Sequence, residues 1–192
     1  MKQLFYLIIS VFIISSFASC NNTAIDDAWR NKNTEAYDSI KADTKNYTDV
    51  RSISKDPTGP IGVYRKVLKQ GPPGTESPIQ TSVVQILYSG RYPGADSVYF
   101  NIGTKNSGVP VWKIINDSDP SFTTDYLMNR GLSFAIQNMV VGDRWEIWVP
   151  YYLGFGPGGM LDSSGSTVVI KGYSTLVYDI ELVAFKRYAT QT

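Results

Sequence analysis

Apolar and polar residues alternate with period two along four stretches of this chain, the mark of strands with one covered and one open face. GVYRKVLKQG, residues 62–71, stops at Gly71-Pro72-Pro73-Gly74. SVVQILYSG, 82–90, is β-branched and ends in a turn, and RWEIWVP, 144–150, stops at a proline. The longest stretch is STLVYDIELVAFKRY, 174–188, which sets Leu176, Tyr178, Ile180 and Leu182 on one face and Thr175, Val177, Asp179 and Glu181 on the other. VYFNIG, 98–103, reads as a further strand.

One stretch breaks the alternation. In GLSFAIQNMVVGD, 131–143, Leu132, Ala135, Ile136, Met139 and Val140 recur at i, i+3, i+4, i+7 and i+8. That spacing predicts a helix with one apolar face, and Gly142 suits its C-terminal end. Upstream, Ile25, Trp29, Ala36, Tyr37 and Ile40 recur near helical spacing within a polar segment, predicting a short amphipathic helix that serves as tether, spacer or dimer contact. Several strands and one short helix imply an α+β fold. The expected architecture is an antiparallel sheet of five or six strands curled around one short helix, with an N-terminal helical tether.

The first residues stand apart from this pattern. Lys2 precedes the apolar run Leu4–Phe17, which is short for a membrane span, and small residues lead to the sole cysteine, Cys20. Phe17-Ala18-Ser19-Cys20 resembles a bacterial lipobox, which implies cleavage before Cys20 and a diacylated N-terminus there. Several acyl chains on one residue give stable membrane attachment. The alternative is a secreted protein cut after Ser19 with a free thiol. With the Asp56–Pro60 punctuation, the chain divides into a signal peptide at 1–19, a lipidated tether at 20–58, a folded domain at 59–188 and a tail at 189–192.

Composition narrows the chemistry. Apolar residues are 43% and charged residues 18% of the 192, enough for one core. Eighteen Lys and Arg against 17 Asp and Glu give no electrostatic case for a nucleic-acid partner. The chain has no histidine, which removes Ser-His-Asp and Cys-His catalysis and speaks against a zinc enzyme. GFGPGG, 154–159, lacks the Gly-Lys-Ser/Thr ending of a phosphate loop. No metal and no cofactor is called for. What remains is aromatic side chains on strand ends and loops, with VPYYLGFGPGGM, 149–160, packing aromatics among glycines that let the backbone turn tightly.

Five pieces, in order, resemble FKBP-type peptidyl-prolyl isomerases: GVYRKVLKQG, ILYSG, RGLSFAIQNMVVGDRWEIWVP, YYLGFG and STLVYDIELV. The resemblance covers about residues 62–185 and implies the same sheet-around-helix fold. It also implies a reaction that needs no nucleophile or proton shuttle, since rotation about an X-Pro bond breaks no covalent bond. Matched position by position, Tyr88, Phe100, Phe155 and Tyr178 take the places of the catalytic pocket aromatics. Asn101, Phe122, Met128, Asn129 and Leu132 take substrate-binding places.

Four positions depart from the family. Asn101 replaces an acid, Asn129 an apolar residue, Leu132 the floor tryptophan and Phe155 a tyrosine with its hydroxyl. The resemblance therefore implies a prolyl isomerase acting on proline-containing polypeptides, anchored by lipid at Cys20 in the bacterial envelope, at the outer membrane, and assisting the folding of exported proteins. The alternative is a non-catalytic peptide-binding or chaperone lipoprotein of the same fold. A third reading, from the residues alone, is a surface lipoprotein binding glycans through Trp112, Tyr151 and Tyr152. Oligomeric state is left open by the sequence.

Overall fold

The computed structural model describes residues 27–50, 61–95, 111–114 (backbone alone), 129–162 and 164–187. Their elements run as follows: helix α1 (27–42), β1 (Thr48–Asp49), β2 (Tyr64–Lys69), β3 (Val83–Arg91), β4 (Val111–Ile114), α2 (Arg130–Ile136), β5 (Arg144–Val149), a 3-10 turn (Tyr151–Leu153), β6 (Met160–Leu161), β7 (Val168–Ile170) and β8 (Leu176–Lys186). Six strands form one antiparallel sheet in the order β1-β2-β5-β8-β3-β4, and β6 and β7 form a separate hairpin. The α+β architecture expected from the pattern is the one observed.

The alternation explains the layers. On β8 the face of Leu176, Tyr178, Ile180 and Leu182 is fully buried, with Tyr88 and Ile86 of β3 and Ile147 and Val149 of β5 beside it. Helix α2 closes this face with Leu132, Ala135 and Ile136, and Met139 follows just beyond the helix. Each fully buried aliphatic side chain stabilises the fold by about 1.5–3 kcal/mol relative to exposure. A seven-residue helix is unstable alone, so this packing holds it in place. Gly131 permits the close approach: a Cβ added there would overlap the Val149 side chain.

The helix ends sooner than its apolar spacing suggests. Its last residue is Ile136, and the next N–H groups turn back three residues, Asn138 N to Ala135 O at 3.0 Å and Met139 N to Ile136 O at 3.1 Å. Met139 keeps its place in the core from this tightened turn. Gly142, expected to close the helix, instead sits at φ 92° in the turn into β5, where its N–H donates to Leu182 O at 2.8 Å.

Helix α1 lies against the outer side of the sheet. Asn33 is 2% exposed: the Thr175 N–H donates to its Oδ1 at 2.9 Å and the Thr175 hydroxyl to its carbonyl at 3.1 Å. Trp29 Nε1 donates to Gly172 O at 3.1 Å, and the Tyr37 hydroxyl to Gly62 O at 2.7 Å. Thr175, set on the open face by alternation, is accordingly buried, and Val177 on the same face is buried as well. The sheet also begins before residue 59, the domain start expected from the sequence. β1 pairs with β2, and the Val50 N–H donates to Val63 O at 2.8 Å. The expected strand at 98–103, the segment before residue 27 and the 189–192 tail lie outside the described residues.

Candidate active site

Three elements converge where β3, β8 and the start of α2 meet. Tyr88 sits opposite Ile180, and Tyr178 opposite Gly90, so the two tyrosines are diagonal neighbours on one face of the β3–β8 pair. Gly90 leaves space beside Tyr178, which is fully buried, and Tyr88 is 1% exposed. Leu132 comes down from the first turn of α2 into the same core cluster.

Asn129 joins helix and sheet. Its backbone is extended (φ −94°, ψ 168°), and its side-chain oxygen accepts from the Leu132 N–H at 2.9 Å, which makes it the N-cap of α2. Its Nδ2 donates to the Tyr178 hydroxyl at 2.6 Å. One amide thus fixes the helix start and orients a phenol from the opposite layer. Burial pushes the Tyr178 hydroxyl well above its ordinary pKa, and the Asn129 bond pulls weakly the other way. The phenol stays neutral at any physiological pH.

Phe155 reaches this cluster from the turn after β5. Pro150 ends the strand, and the Leu153 and Gly154 N–H groups both donate to Pro150 O at 3.0 Å. The Gly156 N–H closes onto Tyr151 O at 2.8 Å. Phe155, half-buried, packs on the core cluster. Gly159, at φ 70°, lets this loop close on the far strand, since a Cβ there would overlap the carbonyl of Ile170.

Tyr173 was not singled out by the sequence. It takes a left-handed φ of 57°, uncommon for an aromatic, with its ring 5.2 Å from Tyr151 and the Arg30 guanidinium 4.8 Å over it. No local pattern signals such a residue, because helix α1 supplies one of its supports.

Tyr88, Leu132 and Tyr178 belong to the one buried core, Asn129 is tied to it through Tyr178, and Phe155 packs against it. Phe100, Asn101, Phe122, Met128 and Cys20 lie outside the described residues, as does the Trp112 side chain. Tyr151 and Tyr152 stand edge-on at 86° rather than as one flat platform, which disfavours the glycan-binding reading. A cavity of about 660 Å³ opens elsewhere, between Trp29 and Lys32 of α1, the 92–95 turn, and Val168, Val169 and Lys171. None of Tyr88, Asn129, Leu132, Phe155 and Tyr178 lines it.

Comparison with known proteins agrees with this fold. The family model for FKBP-type peptidyl-prolyl cis-trans isomerases matches residues 74–183. The macrophage infectivity potentiator of Trypanosoma cruzi is 37% identical over 57 residues, 30% of this chain and 26% of that protein, so the match spans about a quarter of that relative's length. A peptidyl-prolyl cis-trans isomerase from Pseudomonas syringae pv. tomato superposes with a TM-score of 0.60 at 22% identity, covering 84% of this chain and 96% of its own. FkpA from Escherichia coli gives 0.62 at 18% identity, covering 93% and 70%. These two structures share the fold, and the family match spans more than half of the sequence. The chain belongs to the FKBP-type peptidyl-prolyl cis-trans isomerase family.

Proposed function

We propose that this protein is a peptidyl-prolyl cis-trans isomerase that assists the folding of exported proteins. The observation that carries the reading is the family match over residues 74–183, supported by Tyr88, Leu132 and Tyr178 in the core and Phe155 packed against it. The barrier to be lowered is about 18–20 kcal/mol and comes from amide resonance. A water-poor aromatic surface binds the twisted X-Pro amide, whose carbonyl is less conjugated and less hydrated, better than either planar isomer. No group need ionise, which suits a chain without histidine.

Attachment to the bacterial envelope through a lipid on Cys20 belongs to the same proposal and rests on the Phe17–Cys20 motif. Labelling with an alkyne fatty acid should mark the wild-type chain and not Cys20→Ala.

The alternative, a peptide-binding module without catalysis, draws on the polar Asn129–Tyr178 pair in the cluster and on Phe155, which lacks a hydroxyl for a substrate carbonyl. A proline-limited refolding assay separates the two. The expected result is acceleration of the slow phase at micromolar protein. Phe155→Tyr should raise it about fivefold, the equivalent of one net hydrogen bond of ~1 kcal/mol. Suppressed aggregation with no acceleration would remove the enzymatic reading and keep the alternative.

A further inference from the structure

Beyond the far end of α2, about 10 Å from Asn129 along a seven-residue helix, lies a second cavity of about 280 Å³. It is lined by Arg65, Val67 and Trp145 of the sheet, by Asn138 and Asp143, and by the 70–74 loop. Arg65 stacks on the Trp145 ring with its guanidinium carbon 4.3 Å from the ring centre. A guanidinium has five N–H donors, and the Arg65 side chain makes no hydrogen bond or ion pair among the described residues. Its Nε is shut off from solvent without a partner, and so is the indole Nε1 of Trp145, itself only 3% exposed. A buried donor left in this state is destabilising, more so on a charged group. Burial also lowers the Arg65 pKa, with the Asp143 charge opposing.

Asp143 does not supply the missing partner. One of its carboxylate oxygens accepts from the Gly71 N–H at 2.7 Å and the other from the Val140 N–H at 2.8 Å, which staples the cavity rim and keeps that carboxylate in place. Gly71 is packed against the Val141 carbonyl with no room for a side chain, so the rim is close-fitting. The cavity is therefore lined by a partly buried guanidinium stacked on a buried indole, on a fixed frame. Its walls are part aromatic and part proline.

We propose that this cavity is a receptor for one carboxylate group, held by the Arg65 guanidinium against the Trp145 ring. A guanidinium fork matches the two oxygens of a carboxylate. The Asp143 carboxylate nearby repels incoming anions, a dianionic phosphate more strongly than a monoanion, so a carboxylate is favoured over phosphate. The carboxylate belongs to a small free acid or to the C-terminus of a peptide, and the same titration distinguishes them.

The test follows the Trp145 indole N–H signal of the full chain by NMR, assigned with Trp145→Phe. The probes are sodium acetate, acetyl-Ala-Ala with a free C-terminus, and the same peptide amidated. Carboxylate probes should give a saturable shift in the millimolar range, the affinity of one ion pair with a few contacts. Arg65→Gln should abolish the shift, and Arg65→Lys should weaken binding about tenfold, since a point charge lacks the fork. The amidated peptide should do nothing. A midpoint for the free peptide at least about tenfold below that of acetate assigns the site to peptide ends, and equal midpoints assign it to small acids. The proposal is overturned by any of three results: no saturation by about 50 mM, an equal shift in both Arg65 variants, or an equal shift with the amidated peptide, chloride or phosphate.

Discussion

Asn129 shows what one side chain does for the candidate site. Its amide caps α2 and grips the Tyr178 hydroxyl. Removing one partner leaves the other buried without its bond, whereas removing both does not. Asn129→Ala should cost about 1–3 kcal/mol, cap and bond together. Tyr178→Phe should cost about 1 kcal/mol by leaving Nδ2 without its phenol. In urea denaturation the double variant should be more stable than the two losses summed, by about 1 kcal/mol. Additive losses would show that the 2.6 Å bond carries no net stability. Tyr88, Leu132 and Tyr178 were legible in the sequence because each falls on an apolar stripe of correct period. The tie between Asn129 and Tyr178 was not: 49 residues separate the partners, and a polar residue on a covered face carries no periodic signal.

Among the elements, β3, β5 and β8 were readable for the same reason that they fold: alternation marks the covered face along 6 to 11 residues. β1, β6 and β7 have only two or three residues each and offer no period to read. Helix α1 was legible as a helix, and its seat was not, because Asn33 reaches Thr175 across 142 residues. Asn33→Ala would leave the buried Thr175 N–H without an acceptor at a cost of about 1–3 kcal/mol. Limited proteolysis should then cut within 27–42 well before the sheet, and an unchanged digestion pattern would refute this account of the docking.

The α1–β1 bracket also predicts an alkaline response. Burial, and then the hydrogen bond to Glu146, raise Tyr47 from 10.0 to about 12; burial, and then the Tyr152 hydroxyl, push Tyr37 higher still. Both phenols hold their protons more tightly when folded. Their contribution is thus complete below pH 10, the unfolded value, and is lost as pH rises through about 12. Melting temperature should fall from pH 10 upward, with a shallower slope in Tyr47→Phe. Equal slopes would exclude Tyr47 as a source.

For the whole molecule, the decisive distance is that between the helix layer and the sheet. Asn129 and Leu132 reach Tyr88 and Tyr178 only because α2 lies directly on β5, and Gly131 against Val149 is the point of closest approach. The sequence showed a helix and a sheet with matching apolar faces, from which the overall fold follows. How near the layers come depends on which residue is absent from the interface, and a glycine reads as turn or contact alike. Gly131→Ala drives a methyl into the Val149 side chain, an overpacking that costs about 1–3 kcal/mol. Because the helix must lift or rotate to accept it, the Asn129–Tyr178 bond should lengthen, and isomerase activity should fall further than the stability loss alone explains. Gly158 is the control: an added Cβ there meets nothing within 4 Å, and its φ is not positive. Gly158→Ala should be neutral or stabilising by about 0.4–1 kcal/mol through the unfolded chain, with activity unchanged. Paired urea melts and refolding assays on the two variants read both quantities. If Gly131→Ala lost stability while activity stayed at the Gly158→Ala level, the separation of the layers would not be what positions the site.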